Sequence, residues 1–141
     1  MEKMTEEEVK YFLLGSPRTA KVATVREDGR PHVAPVWFDM DEDKIIFTTW
    51  HDTVKYRNLI RDPRISLCVD DEQVPFAYVL IDGIVHIESD PELLAYWAKK
   101  IASRYMGSYL GDQYGKRNSV EGEMLIIVTP TKINAQKGIS D

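Results

Sequence analysis

Apolar, β-branched and aromatic residues gather along this chain in short runs bounded by turn residues, the pattern of strands, and only three segments carry helical features. Thr5 followed by Glu8 forms a capping box that opens a helix to about Leu14, with Val9, Phe12 and Leu13 as its apolar face and Gly15-Ser16-Pro17 as its stop. Thr19 to Arg26 and Pro31 to Asp39 read as two strands joined by the hairpin Glu27-Asp28-Gly29-Arg30, because Asp-Gly tolerates the positive φ of tight turns. Asp41-Glu42-Asp43 turns into a third strand, Lys44 to Thr49. A second helix starts after Asp52 or Thr53 and stops at Asp62-Pro63, where proline cannot continue it. Ile65 to Val69 and Ala77 to Ile87 are the fourth and fifth strands, and Gly83 inside the latter marks a bulge or a close backbone approach.

Ser89-Asp90-Pro91-Glu92 opens the third helix, with a capping residue ahead of proline at the first helical position. Leu93, Trp97, Ile101 and Tyr105 recur every four residues as its expected buried stripe, and Gly107 suits its C-cap. The Gly-rich, polar stretch Ser108 to Ser119 reads as a mobile loop, Met124 to Val128 as the last strand, and Gln136 to Asp141 as a loosely held tail. About six hairpin-connected strands with few helices predict a mainly β (α+β) domain over residues 1–141, an antiparallel barrel with peripheral helices.

Composition narrows the function classes. At 141 residues, 43% hydrophobic and 29% charged, the chain is long enough for one real core. A formal net charge of −5 argues against nucleic-acid binding. No apolar run has the length of a membrane span, and the acidic start has no signal-peptide core. The single Cys68 has no internal disulfide partner, which suits a reducing cytoplasm.

The richest chemistry lies at Phe47-Thr48-Thr49-Trp50-His51-Asp52-Thr53-Val54-Lys55, where a strand feeds a helix start lined with hydroxyls and one lysine. Unpaired N–H groups and the positive dipole end favour an anion there, so the segment reads as a phosphate clamp with Lys55 as its cation. Arg57 and Arg61, at i and i+4, read as a solvated face. His32, His51 and His86 are not at a ligand spacing and Cys68 has no partner motif, so zinc is not expected; His51 either assists the clamp or is an ordinary loop residue. Trp50 reads as structural or as a dimer contact, and Tyr105 as core. Arg104 faces either a cofactor of the partner subunit or solvent. No Gly-rich fingerprint passes from strand to helix, which argues against a Rossmann unit.

The order and spacing of Thr19-Ala20-Lys21-Val22-Ala23-Thr24-Val25, of Asp28 to Phe38, of Phe47-Thr48-Thr49, of Lys55 to Leu59, of Asp62 to Leu67 and of Arg104-Tyr105-Met106-Gly107 resemble the flavin- and deazaflavin-binding split β-barrel family, the pyridoxamine-phosphate-oxidase-like proteins. The resemblance covers nearly the whole chain. It implies a homodimer with two cofactors in grooves at the subunit interface, Pro35, Val36 and Trp37 lining the tricyclic ring, Thr48 and Thr49 reaching the ring edge and ribityl chain, Lys55 and Asn58 at the phosphate, and Tyr78 approaching from the sheet. Pyridoxamine-phosphate oxidases proper carry a longer C-terminal segment with a phosphate-gripping arginine. The chain reaches Asp141 without it, so that reaction is not expected. The branch that uses the deazaflavin coenzyme F-420 fits best, with FMN as the alternative cofactor. The implied activity is hydride transfer between reduced deazaflavin and a small organic acceptor, with no catalytic side chain, or binding of the cofactor without turnover.

Overall fold

The computed structural model describes all 141 residues. Eight strands and four helices follow one another as β1 (Glu2–Lys3), α1 (Glu6–Leu14), β2 (Ala20–Val25), β3 (Pro31–Val36), β4 (Asp39–Asp41), β5 (Lys44–Trp50), α2 (Val54–Arg61), β6 (Arg64–Asp71), β7 (Ala77–Glu88), α3 (Pro91–Met106), α4 (Ser108–Arg117) and β8 (Glu123–Lys137). All pairings are antiparallel, in the order β3-β2-β6-β7-β8-β5-β4, with β1 added to β8. The sheet curls round a core that includes Val22, Phe38, Phe47, Leu67, Ile81 and Ile126. Its end strands β3 and β4 do not pair with each other, so the fold is a split barrel rather than a closed one.

Alternation explains most of the strands. In β2, Ala20, Val22 and Thr24 are buried while Lys21, Ala23 and Val25 face outward. β5 differs because both its faces are covered: Ile45 and Phe47 join the barrel core, while Ile46 joins a second cluster with Leu125 beneath α3. The hairpin after β2 forms as expected, with Gly29 at φ +89°. The strand expected from Pro31 to Asp39 breaks at Trp37 and Phe38 into β3 and β4.

Four expectations are corrected. Ser108 to Ser119 is not a mobile loop; Ser108–Arg117 is the helix α4. Its glycines lower helix propensity and so disguised it in sequence, but they let it lie against α3: a Cβ at Gly111 would come within 2.0 Å of Ser103 Oγ, and one at Gly115 within 2.7 Å of the Lys99 Cα. The last strand runs from Glu123 to Lys137, well beyond Val128, because Pro130 sits where the β7–β8 register shifts and no regular ladder bond is needed from it. The extra residue at that shift is Thr131 on β8, and opposite it Gly83 is a close approach, since a Cβ there would meet Val128 Cγ1 at 2.6 Å and the Thr129 carbonyl oxygen at 2.8 Å.

The C-terminal tail is held rather than loose. Gln136 and Lys137 pair with β7 or β1, and Ile139 and Ser140 donate backbone N–H groups to the Phe76 and Pro75 carbonyls. On α3 the buried stripe is Leu94, Trp97, Ala98, Ile101 and Ala102, displaced from the expected one; Leu93 and Tyr105 are half-buried at its edge. No helix is long and apolar enough to cross a membrane.

Candidate functional site

The junction between β5 and α2 is built by one threonine. Thr53 caps α2, its Oγ1 accepting from the Tyr56 N–H at 3.3 Å and donating to the Trp50 carbonyl at 2.9 Å, with Thr49 Oγ1 a further 3.2 Å away. These bonds seat the first turn of the helix on the end of the strand. Lys55, the second residue of that turn, is half-buried and makes no hydrogen bond; the only charge acting on it appreciably is that of Glu123.

Lys55 lies at the wall of a cleft of about 490 Å³, within the range of ligand pockets. The sheet contributes Pro35 and Val36 of β3, Trp37 beyond it, and Thr48, Thr49 and Trp50 of β5. The helices close the other side with Ala98 and Ile101 of α3 and Tyr114 and Arg117 of α4, and Glu123 opens β8 at one end. Trp37 is fixed by stacking on Tyr105, with ring centroids 5.2 Å apart and planes 5° off parallel, and meets the edge of Tyr114. Tyr105 is held in turn: its hydroxyl accepts from the Phe38 N–H at 3.2 Å and donates to the Arg18 carbonyl at 2.6 Å. Arg104 is not free in solvent; it donates to the carbonyls of Phe38 and Leu13 and lies over the Phe38 ring.

The electrostatics follow from partial burial. Burial pushes the Lys55 ammonium below its ordinary pKa, opposed by Glu123. It pushes the Glu123 carboxyl up, opposed by Lys55, Arg117 and His51. His32 is pushed down by burial and then by the charges of Arg26 and Lys55. The His32 Nδ1 and Arg26 Nε are buried without a hydrogen-bond partner.

The family model for pyridoxamine 5'-phosphate oxidase matches residues 5–137. The chain belongs to this family. Among solved structures of similar shape is a conserved hypothetical protein, Rv2991 from Mycobacterium tuberculosis, at 24% identity and TM-score 0.84, covering 97% of this chain and 87% of that one. An F-420 reductase is 32% identical at TM-score 0.71, covering 87% of this chain and 94% of its own. A heme storage protein, HutZ from Vibrio cholerae, shares the fold at 21% identity and TM-score 0.74, over 96% and 98% of the two chains.

Within this oxidase-family fold, six residues expected at the cofactor are brought together in the cleft: Pro35, Val36, Trp37, Thr48, Thr49 and Lys55. Two are not. Asn58 is buried and donates its amide Nδ2 to Thr24 Oγ1 at 3.0 Å, tying α2 to β2. It follows Lys55 by three residues, but the helix turns it into the barrel. Replacing Asn58 with alanine leaves the buried Thr24 hydroxyl without its donor and is expected to cost about 1–3 kcal/mol in denaturant unfolding. Affinity for FMN or F-420 should stay within about twofold. A loss of binding without loss of stability would return Asn58 to the phosphate.

Tyr78 pairs with Asp70 and Gln136, away from the cleft, on the outer sheet surface it shares with Lys21 and Leu80. The reading of the sequence missed Arg117, Tyr114 and Glu123, which come from segments assigned to a loop or left outside any element. The spacing of Tyr114, Arg117 and Asn118 was the available signal, obscured by the neighbouring glycines. Trp50, assigned to structure or a dimer contact, lines the cleft as well.

Proposed function

We propose that this protein is an oxidoreductase that passes a hydride between reduced coenzyme F-420 and a small organic acceptor. The observation that carries the reading is Lys55: a half-buried ammonium without a hydrogen-bond partner, at the opening turn of a helix and facing a cleft sized for a tricyclic cofactor. The 32% identity with an F-420 reductase over 87% of the chain supports the deazaflavin over FMN. When bound, the cofactor supplies the hydride chemistry. The chain supplies position and shielding. Pro35, Val36 and Trp37 offer a flat apolar wall, with Trp37 locked by Tyr105; Thr48 and Thr49 offer hydroxyls to a ribityl chain; Lys55 meets the phosphate.

The reading includes a homodimer. Val33 of β3, two residues before Pro35, and Leu80 and Ile84 of β7, three strands across, are exposed on the outer sheet face, and a second copy packed there would cover them and deepen the cleft. Tyr78 belongs to this face, so its route to a cofactor runs through a partner's cleft rather than its own.

Fluorescence titration with FMN and with F-420, each oxidised and reduced, is the test, followed by turnover with quinone or nitroaromatic acceptors. Saturable binding with preference for F-420 and accelerated oxidation of its reduced form are expected. Preference for FMN transfers the reaction to a flavin, binding without acceleration leaves a carrier, and absence of binding to either overturns the proposal.

A further inference from the structure

Glu123 is the one acidic side chain lining the cleft. It is the first residue of β8 and stands opposite Trp50 in the β5–β8 ladder, and its own N–H is held by the Val120 carbonyl. Its backbone therefore cannot swing away. The charged and titratable groups that face it are Lys55 from α2, Arg117 from α4 and His51 from the turn between β5 and α2. None forms a close ion pair with it, and Arg57, on the same helix as Lys55, is paired with Asp52 at 2.6 Å. With His51 neutral, the anion end of the cleft thus holds two cations, Lys55 and Arg117, and one carboxylate, a surplus of a single positive charge.

We infer that Glu123 is a specificity-determining residue, which tunes this end of the cleft to a singly charged phosphodiester and against a doubly charged phosphate monoester. The inference rests on the function proposed above and names the chemical class within it: FMN ends in a monoester, whereas the ribityl phosphate of F-420 is a diester. A phosphate monoester carries roughly 1.5 to 2 negative charges near neutral pH. The second charge finds no matching cation and meets the carboxylate in a partly desolvated site, where like charges repel more strongly than in water. The sign of the pH response follows. Burial already raises the proton affinity of Glu123, and an adjacent dianion raises it further. A monoester therefore binds with uptake of a proton, and its affinity falls as pH rises through that titration.

The test compares two flavins of equal ring, FMN and riboflavin 4',5'-cyclic phosphate, the latter a diester. Both are titrated into the unaltered protein, Glu123→Gln and Glu123→Asp at low ionic strength. The glutamine variant is expected to bind FMN about tenfold more tightly near neutral pH and the cyclic diester less than about threefold more tightly. The aspartate variant keeps the carboxylate and should keep the preference of the unaltered protein. Taking the ratio of the two affinities within each variant cancels any loss of folded fraction. An unchanged ratio in Glu123→Gln, or no gain in FMN affinity, overturns the inference while leaving the proposed function standing. If neither flavin nor F-420 binds the unaltered protein, the function fails first and the inference with it.

Discussion

Lys55→Ala is expected to weaken binding of F-420 or FMN by about ten- to a hundredfold, the equivalent of one charge-assisted contact of about 1.5–3 kcal/mol. The effect should fall on affinity rather than on folding, because the Lys55 ammonium has no hydrogen-bond partner whose loss would leave another group stranded. Removing it relieves a partly desolvated charge but also withdraws one of the charges that oppose the half-buried Glu123, so thermal stability without cofactor should change little. Thr53 still caps α2 through its bonds to Tyr56 and Trp50, so the helix start survives the substitution. The measurement is a fluorescence titration beside a melting curve of the cofactor-free protein. Unchanged affinity would remove the phosphate from this turn, and with it the main support for a redox cofactor.

Phe47→Ala should cost about 3–5 kcal/mol and lower the melting temperature by roughly 10 °C or more. Phe47 is 0% exposed and sits in the barrel core, paired across the β5–β8 ladder with Ile126. The strand cannot collapse inward to fill the cavity, because Ile46 and Leu125 pin its other face beneath α3. Thr48 and Thr49 directly follow Phe47, so the variant that still folds should also bind cofactor less well, in contrast to the clean separation expected at Lys55. Urea unfolding monitored by tryptophan fluorescence reads the first effect. A loss below about 1 kcal/mol would mean that the two-sided packing of β5 does not hold the strand in place.

The comparison of these two substitutions shows how the site is assembled. β5 is a rigid rail because both its faces are covered, and it delivers hydroxyls and Trp50 to one edge of the cleft. α2 is mounted on the end of that rail by Thr53, so the position of Lys55 is set by the strand more than by the helix. Opposite them, α3 and α4 supply the wall that a single sheet lacks. The frame is that of the pyridoxamine 5'-phosphate oxidase family to which the chain belongs, and α4 and the first residue of β8 complete the cleft.

Local signals carried a large share of the molecule. The capping box at Thr5 and Glu8, the Asp-Gly hairpin, the stop at Asp62-Pro63 and the Asp90-Pro91 helix start are encoded within a few residues and appear where the local chemistry places them. The lysine at the start of α2 was legible for the same reason, since a helix start defines its own geometry. What depended on distant partners was not legible. α4 packs closely on α3 because Gly111 and Gly115 leave room for Ser103 and Lys99. β8 continues past Pro130 only because β7 and β1 accept its second half. Asn58 turned inward because a buried Thr24 hydroxyl waited for it across the barrel, a contact between residues 34 positions apart.

By itself, then, the sequence determined the strand-and-turn grammar, the helix boundaries marked by caps and prolines, and the cation at the start of α2, since each depends on neighbours a few bonds away. Only the tertiary structure decided that the strand expected from Pro31 to Asp39 breaks in two, that a glycine-rich segment becomes a cleft wall, and that Glu123 shares the cleft with Lys55. Those outcomes depend on packing and charge between segments far apart in the chain, where burial, not local preference, sets the energy.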